Sequence, residues 1–322
     1  MFFKSAFVTL ITLTTSTAVL AQPGKAVVIG VAPSSDTALL IVAVNGGFLT
    51  KEGLAPELKV FDSSPQALQA VVGRQADVTM NTEPPQLGTR ARGGKIVQVM
   101  TGWVSGRNAA GVVAGSVAKP ADLAGKTVAT QRGSGSNYHL VTFLAKHNLR
   151  DKVTVRFMDA PDQLPALARN DIQALFSWEP YVSRSAQTIP NAKIMTWAGD
   201  DGVLFHDNVV MREDFAKGDK DTAVRVVKGL IAAADWMEAN RREAAKVANT
   251  VMKAPSEDQA FRELQLFKYT GEFRKSLVEH QQKLAEWMVS LGLIQTPDAK
   301  KLVEELVYPD IIKAAAPNRT DM

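Results

Sequence analysis

The chain has 322 residues, 46% of them hydrophobic and 22% charged, which is enough for two domains of ordinary size. Its 37 lysine and arginine residues outnumber 33 aspartate and glutamate residues without forming a basic run, so no nucleic-acid partner is expected. The absence of cysteine excludes disulfide bonds, zinc–thiolate sites, cysteine nucleophiles and a lipid-bearing N-terminal cysteine.

The N-terminal segment predicts an export signal. Lys4 precedes an apolar, threonine-rich run at Ala6–Leu20, and Val19-Leu20-Ala21 places small or aliphatic residues where a signal peptidase reads them. We therefore expect residues 1–21 to be a signal peptide and the mature chain to be periplasmic. The run is too short and too rich in threonine to favour a membrane anchor.

Strand and helix patterns alternate through the next part of the chain. The strands predicted first are, in order, Ala26–Val31, Glu57–Phe61, Ala76–Met80, Ile96–Trp103 and Gly111–Ala114. Helices are predicted after the first strand and from Ser64-Pro65, where a cap residue precedes a proline at the first helical position.

The same order then recurs. The second set of predicted strands is Thr127–Thr130, Val153–Phe157 and Ile172–Phe176, with helices between them. In each copy of this order the third strand is followed by a Glu-Pro pair, Glu83-Pro84 after Ala76–Met80 and Glu179-Pro180 after Ile172–Phe176. The alternation predicts an α/β fold with parallel sheets covered by helices on both faces, arranged as two similar lobes. From Asp221 onward the pattern becomes helical, which predicts a C-terminal helical segment packed on the first lobe.

Ligands of open α/β sheets bind beyond the carboxyl ends of the strands, and four predicted loops occupy that position. We expect these loops to meet at one small-molecule ligand in a cleft between the lobes. The candidate ligand-binding residues are Ser34, Ser35 and Asp36, then Asn81, Thr82 and Glu83, then Gly133, Ser134, Gly135, Ser136 and Asn137, and finally Trp178 and Glu179.

The chemistry of these loops predicts a polarised site. The loop Gly133–Asn137 joins a strand to a helix, so its free N–H groups and the positive end of the helix dipole would receive an anion. Asp36, Glu83 or Glu179 would receive a cationic or amino group, and Trp178 would supply an apolar wall. The alternatives are a capped turn without a ligand for the loop, and helix starts for the two glutamates.

Signals for catalysis or metal binding are weak. The four histidines, His139, His147, His206 and His280, show no metal-ligand spacing. A nucleophile elbow and a phosphate-binding Gly-Lys-Ser/Thr element are both absent, and the glycine spacing of the Gly/Ser loop does not match a dinucleotide fingerprint. We expect no metal, no cofactor and no catalytic residue. An exported enzyme remains an alternative, with Glu83 and Glu179 as its acid–base pair.

Several segments of the chain resemble the periplasmic solute-binding proteins of nitrate, sulfonate and taurine ABC importers, a group that also contains binders of thiamine-pyrimidine precursors. The segments are Asp122–Ala129, Gly133-Ser134 with the following helix, Ala76-Asp77-Val78 after Gly73, and Ala174–Pro180. The likeness runs in order over roughly residues 25–290. Its motifs are specific to the family and not to one ligand.

The resemblance implies a type II periplasmic binding fold in which the chain crosses twice between two lobes, near Trp103–Asn108 and Met195–Val203. Lobe 1 would comprise residues 22–103 and 204–322, and lobe 2 residues 104–203. It also implies closure about a hinge and docking on a membrane ABC permease. We expect a monomer.

The expected ligand is a small organic anion or zwitterion, with an alkyl- or amino-sulfonate as the leading case. Asp36 and Glu83 would repel a purely anionic ligand unless a cationic group lies between them and the anion. The alternative is an aminopyrimidine, whose aromatic amine would be held by a carboxylate and tryptophan.

Overall fold

A computed structural model describes residues 24–322 as a mixed α/β protein with two sheets, and the predicted signal peptide at residues 1–21 lies outside the described residues. In chain order the strands are β1 Lys25–Val31, β2 Leu54–Val60, β3 Val78–Thr82, β4 Ile96–Ser105, β5 Ala109–Val113, β6 Thr127–Thr130, β7 Thr154–Phe157, β8 Ala174–Trp178, β9 Lys193–Trp197, β10 Phe205–Arg212 and β11 Lys268–Glu272. The first sheet has the order β11-β4-β10-β3-β1-β2, and the second has the order β7-β6-β8-β5-β9.

The helices cover both sheets. In chain order they are α1 Ala38–Asn45, α2 Phe48–Lys51, α3 Ser64–Val72, α4 Glu83–Ala91, α5 Gly135–Lys146, α6 Ala160–Ala168, α7 Tyr181–Thr188, α8 Glu213–Gly218, α9 Lys220–Ala239, α10 Arg241–Met252, α11 Glu257–Leu264, α12 Lys275–Ser290, α13 Ala299–Leu306 and α14 Asp310–Ala315. Between residues 24 and 322, none of the helices combines the length and the apolar character needed to cross a membrane.

The predicted strands recur in the structure, with two shifts that matter for the site. The strand predicted at Ala76–Met80 is β3, which runs to Thr82, and the strand predicted at Ile172–Phe176 is β8, which runs to Trp178. Thr82 and Trp178 are therefore the last residues of strands and not loop residues. The sequence pattern missed β9, β10 and β11.

The expectation of wholly parallel sheets is wrong. Between the strands named above, parallel pairing is confined to β1 with β2 and β3, and to β6 with β7 and β8. The chain leaves the first sheet along β4 and returns along β10, so these neighbours run in opposite directions. For the same reason β5, which enters the second sheet, is antiparallel to β9, which leaves it.

The C-terminal helices pack on the first sheet, as the sequence pattern predicts. Side chains of α9, α10, α11 and α14 share one buried cluster with β1 and β4, among them Val227, Leu230 and Ile311. Helices α12 and α13 cover the opposite face together with α3 and α4. Helices α13 and α14 are separate because Pro309 disfavours helical backbone at the residue before it.

The two passages between the sheets touch each other. They comprise residues 106–108 and 198–204, which overlap the predicted crossings, while the lobe boundaries stay a prediction. The Gly199 N–H donates to the Gly106 carbonyl oxygen at 2.7 Å. A Cβ atom on Gly106 would lie 2.9 Å from the Gly199 Cα atom, so the two backbones approach more closely than an alanine allows.

We predict that Gly106→Ala lowers the free energy of unfolding by about 1–3 kcal/mol, because the new methyl group forces the two crossing segments apart. Urea unfolding of the ligand-free protein measures the change. Gly218→Ala is the matched control, since nothing lies within 4 Å of a Cβ atom there, and it should be neutral or slightly stabilising. Equal unfolding midpoints for the two variants would contradict the prediction.

Candidate functional site

A cavity of about 400 Å³ lies between the two sheets, next to the carboxyl ends of β1, β3 and β8. The first sheet contributes the turns after β1, β2 and β3 and the start of β10. The second sheet contributes the start of β5, the loop after β6 and the end of β8. A volume of this size accommodates a small organic molecule.

The structure brings most of the predicted residues to this cavity. Ser34, Asp36, Asn81, Thr82, Ser134, Gly135, Ser136 and Trp178 line it. The other five predicted residues, Ser35, Glu83, Gly133, Asn137 and Glu179, are not part of its lining. The cavity is therefore built from both halves of the chain, but the two glutamates predicted to face the ligand lie elsewhere.

Asp36 is a buried carboxylate held by two serine hydroxyls. It lies in a short 3₁₀ turn, Ser35–Thr37, directly after β1. The Ser34 hydroxyl donates to one carboxylate oxygen and the Ser64 hydroxyl donates to the other at 2.6 Å. The Trp103 indole N–H donates to the Asp36 carbonyl oxygen at 2.8 Å, which fixes the turn on β4. The position of this carboxylate is thus set by hydrogen bonds within the protein.

Asp207 is the second buried acidic group of the cavity, whose lining also includes the exposed Asp62, and it was not predicted. The residue lies on β10, is 1% exposed, and its Oδ1 atom has no hydrogen-bond partner among residues 24–322. Burial, reinforced by the negative charges of Asp36 and Glu83, raises the pKa of Asp207 well above its usual range. A buried polar atom without a partner is uncommon and costs stability, so a ligand group that bonds it would relieve this cost.

The loop after β6 presents the start of α5 to the cavity. The Ser134 hydroxyl caps the helix, since it accepts from the Asn137 N–H at 3.2 Å and donates to the Gln131 carbonyl oxygen at 2.8 Å. The Ser136 hydroxyl oxygen is 2.9 Å from the Ser134 hydroxyl oxygen. The first N–H groups of a helix, here those of Gly135 and Ser136, have no intrahelical acceptor and are available to an anion.

A close contact across the cavity explains the glycine at position 135. A Cβ atom there would lie 2.8 Å from the ring of Phe205, the first residue of β10. Helix α5 follows β6 of the second sheet, whereas Phe205 lies in β10 of the first sheet. Only a residue without a side chain lets the loop and the ring approach each other this closely.

Aromatic and basic side chains complete the cavity. The Trp178 and Tyr181 rings are 5.8 Å apart between centroids and meet edge to face at 88°. Arg184 on α7 and Lys253 after α10 also line the cavity and carry the positive charges of its lining. No histidine or glutamate is found among the lining residues, all of which lie in the described part of the chain.

The two predicted glutamates outside the lining have structural partners. Glu83 is the first residue of α4, and its Oε1 atom lies 2.8 Å from His206 Nδ1. Glu179 accepts from the Ser183 N–H at 3.1 Å and from the Ser183 hydroxyl at 2.7 Å, and burial raises its pKa. Both glutamates therefore occupy helix starts, the alternative that the Glu-Pro pairs left open.

The other three excluded residues belong to the turns. Ser35 is fully buried within its 3₁₀ turn, and the Asn137 side chain accepts from the Gly133 N–H at 3.1 Å. These contacts shape the turns that carry Asp36 and Ser136. None of the three residues is among those that line the cavity.

Sequence reasoning missed Asp207, Phe205 and Arg184. The first two lie at the polar start of β10, a strand that the pattern did not identify. The apolar run Val209-Val210-Met211 was the available signal for that strand. Arg184 lies one turn into α7, and sequence alone predicts that a charged residue on a helix is exposed to solvent.

The chain belongs to the NMT1-like family, whose family profile matches residues 21–252. A search of curated proteins returned no match.

The fold of this chain is similar to that of solved periplasmic binding proteins. The alkanesulfonate-binding protein of Xanthomonas axonopodis pv. citri, bound to MOPS, is 20% identical with a TM-score of 0.74, covering 89% of this chain and 99% of that one. The periplasmic aliphatic sulphonate-binding protein of Escherichia coli is 18% identical with a TM-score of 0.75, covering 88% and 92%. The periplasmic nitrate-binding protein of Synechocystis PCC 6803 is 17% identical with a TM-score of 0.74, covering 91% and 89%.

We predict that Asp207→Asn changes the pH dependence of stability. Because the native pKa of Asp207 is raised, the folded protein keeps this proton at pH values where the unfolded chain, with a pKa of about 3.9, has lost it. The contribution of Asp207 to stability is therefore lost as the pH rises above about 4.

The Asp207→Asn variant has no carboxyl group at this position, so its stability does not fall in this way as the pH rises. Its free energy of unfolding relative to wild type should increase by up to about 1.4 kcal/mol per pH unit above about pH 4, until the native carboxyl group ionises. Urea unfolding of the ligand-free proteins between about pH 4 and 8 measures the difference. Parallel pH profiles would show that Asp207 is not protonated in the native state.

Proposed function

We propose that this protein is the extracytoplasmic solute-binding component of an ABC importer, which captures a small zwitterion or organic anion between two lobes. The observation that carries the proposal is the cavity of about 400 Å³ between two sheets that are joined by two crossings. Such a cavity opens and closes when one lobe rotates on the crossings, which is how hinged binding proteins enclose a ligand.

The similar structures support this class of function. Two of them are named as sulfonate binders and one as a nitrate binder. The Xanthomonas protein is bound to MOPS, a molecule with a tertiary amine at one end and a sulfonate at the other. A periplasmic location after removal of residues 1–21, a permease in the inner membrane and a monomeric state belong to the same proposal.

The distribution of charge supports a polarised ligand. Asp36 and Asp207 lie on the side of the first sheet, while the N–H groups at the start of α5 lie on the side of the second sheet. An amino group would bond the two carboxyl groups, and an acid group would bond the α5 start. Asp207 thus takes the role that the sequence assigned to Glu83. The leading ligand class is an amino-sulfonate.

A second candidate ligand is an aminopyrimidine. The edge-to-face pair of Trp178 and Tyr181 favours it, since a flat ring would stack in an aromatic-lined cavity. Its exocyclic amine would then donate to Asp36 or Asp207.

An exported enzyme has less support. Glu83 and Glu179, the acid–base pair that it required, are outside the cavity lining and bonded to other side chains.

We predict that taurine binds more tightly than ethanesulfonate, which differs only in lacking the amine. The gain should be about 1.5–3 kcal/mol, the range for a hydrogen bond to a charged group. Calorimetry on the mature chain, in a buffer free of sulfonate zwitterions, measures both affinities. Equal affinities for taurine and ethanesulfonate would show that Asp36 and Asp207 do not recognise the amine. Tighter binding of an aminopyrimidine than of taurine would favour the second candidate ligand.

Cavity variants should separate the two ends of the ligand. Asp36→Asn or Asp207→Asn should reduce the taurine affinity and abolish its advantage over ethanesulfonate. Ser136→Ala should weaken both ligands alike. Glu179→Gln is the control, since it removes a buried carboxylate that does not line the cavity, and it should leave both affinities unchanged. Loss of the taurine advantage in Glu179→Gln would contradict this assignment.

Ligand binding should also contract the molecule. Small-angle scattering should show a smaller radius of gyration on addition of a ligand at about one hundred times its Kd, a level that adds about 2.7 kcal/mol of stability. Tight binding without contraction would argue against closure of the lobes. Recovery of the ligand unchanged after long incubation would agree with binding, whereas turnover would identify an enzyme.

A further inference from the structure

Three side chains of types that can bind a metal ion come from distant parts of the sequence and meet next to the cavity, outside its lining. Glu83 begins α4, His206 is the second residue of β10, and His280 lies on α12. One ligand atom from each of the three lies within 4.8 Å of the others. The Glu83 Oε1 atom is 2.8 Å from His206 Nδ1 and 3.7 Å from His280 Nε2.

We propose that Glu83, His206 and His280 form a binding site for a divalent transition-metal ion, with zinc as its representative. Two imidazoles and one carboxylate are the ligand types that such ions prefer. Four tetrahedral ligands at about 2.0–2.2 Å from zinc are roughly 3.4 Å apart. The distances of 2.8 and 3.7 Å bracket this value, so small side-chain movements suffice.

The burial of the three groups suits an ion with one open coordination position. The Glu83 side chain is only 1% exposed, whereas the side chains of His206 and His280 are 20% and 30% exposed. An ion can therefore enter from the histidine side, and water can complete its coordination. The buried carboxylate provides the negative charge that holds the ion.

Three features oppose a cation at this place. The start of α4 has a positive partial charge, and Lys283 on α12 lies near His280. His206 also bonds Glu83, and an ion would have to replace this interaction. A metal ion would displace the proton between His206 and Glu83. Three direct ligands outweigh a helix dipole and a solvated lysine, both of which act at longer range.

The consequence is an additional link between three elements, of which α4 and β10 are already joined by hydrogen bonds from His206 to Glu83 and from Gln86 to the Asn208 carbonyl oxygen. An ion bound here ties α12 and the start of α4 to β10, directly behind Phe205 and Asp207 of the cavity. The site does not depend on which solute the cavity binds.

Titration of the tag-free, EDTA-treated mature chain with zinc chloride tests the proposal. Calorimetry should give one zinc ion per chain, and zinc should raise the unfolding temperature. His280→Gln and Glu83→Gln should each lower the zinc affinity by at least about 10–100-fold, the loss typical even of groups one shell further from a metal. Circular dichroism confirms that each variant is folded.

His147→Gln is the matched control, because the His147 side chain is also 30% exposed and near a carboxylate, at 3.9 Å from Asp201. It should bind zinc like wild type. If Glu83→Gln does not fold, His280→Gln alone decides the outcome. Absence of stoichiometric zinc binding by wild type, unchanged affinity in His280→Gln, or an equal loss in His147→Gln would overturn the proposal.

Discussion

The alternation of side chains along β10 is the constraint on which both sites depend. This strand pairs with β4 along Phe205–Arg212 and with β3 along Asp207–Met211, so its residues cannot rotate between faces. Phe205 and Asp207 consequently face the ligand cavity, and His206 faces the opposite side. The same alternation continues further along the strand, where Val209 and Val210 join different buried clusters. One extended segment thereby separates two chemically distinct environments.

The two buried acidic groups of the cavity illustrate different solutions to burial. Asp36 receives hydrogen bonds from two hydroxyls, which stabilise its negative charge. Asp207 has no such partner at its Oδ1 atom within residues 24–322, and burial together with the nearby charges of Asp36 and Glu83 disfavours its ionised form. A buried acid without a hydrogen-bond partner lowers the stability of the folded protein, and such groups concentrate at functional positions. On the other side of the cavity from Asp36 and Asp207, the start of α5 supplies N–H donors. The cavity therefore has an acidic side and a hydrogen-bond-donor side.

Much of the site could be predicted because it follows from local sequence. Ser134 is a helix cap, and a cap after a strand and a Gly/Ser loop is recognisable without tertiary information. Asp36 could be predicted in the same way, from its place after an apolar strand. The role of Glu83 could not, because a Glu-Pro pair at a strand end fits a ligand contact and a helix start equally well. The choice between them is made by His206, which lies far away in the chain.

The sequence by itself determined the alternation of strands and helices, the caps, the family resemblance and the loops that form the cavity. Short-range effects control these features, namely side-chain periodicity, backbone conformation and capping. Only the tertiary structure decided the antiparallel pairing of β4 with β10, the contact between Gly106 and Gly199, the place of Asp207 and the meeting of Glu83, His206 and His280. These features depend on which strands become neighbours. Contacts between residues remote in sequence set that choice, and no local pattern encodes it.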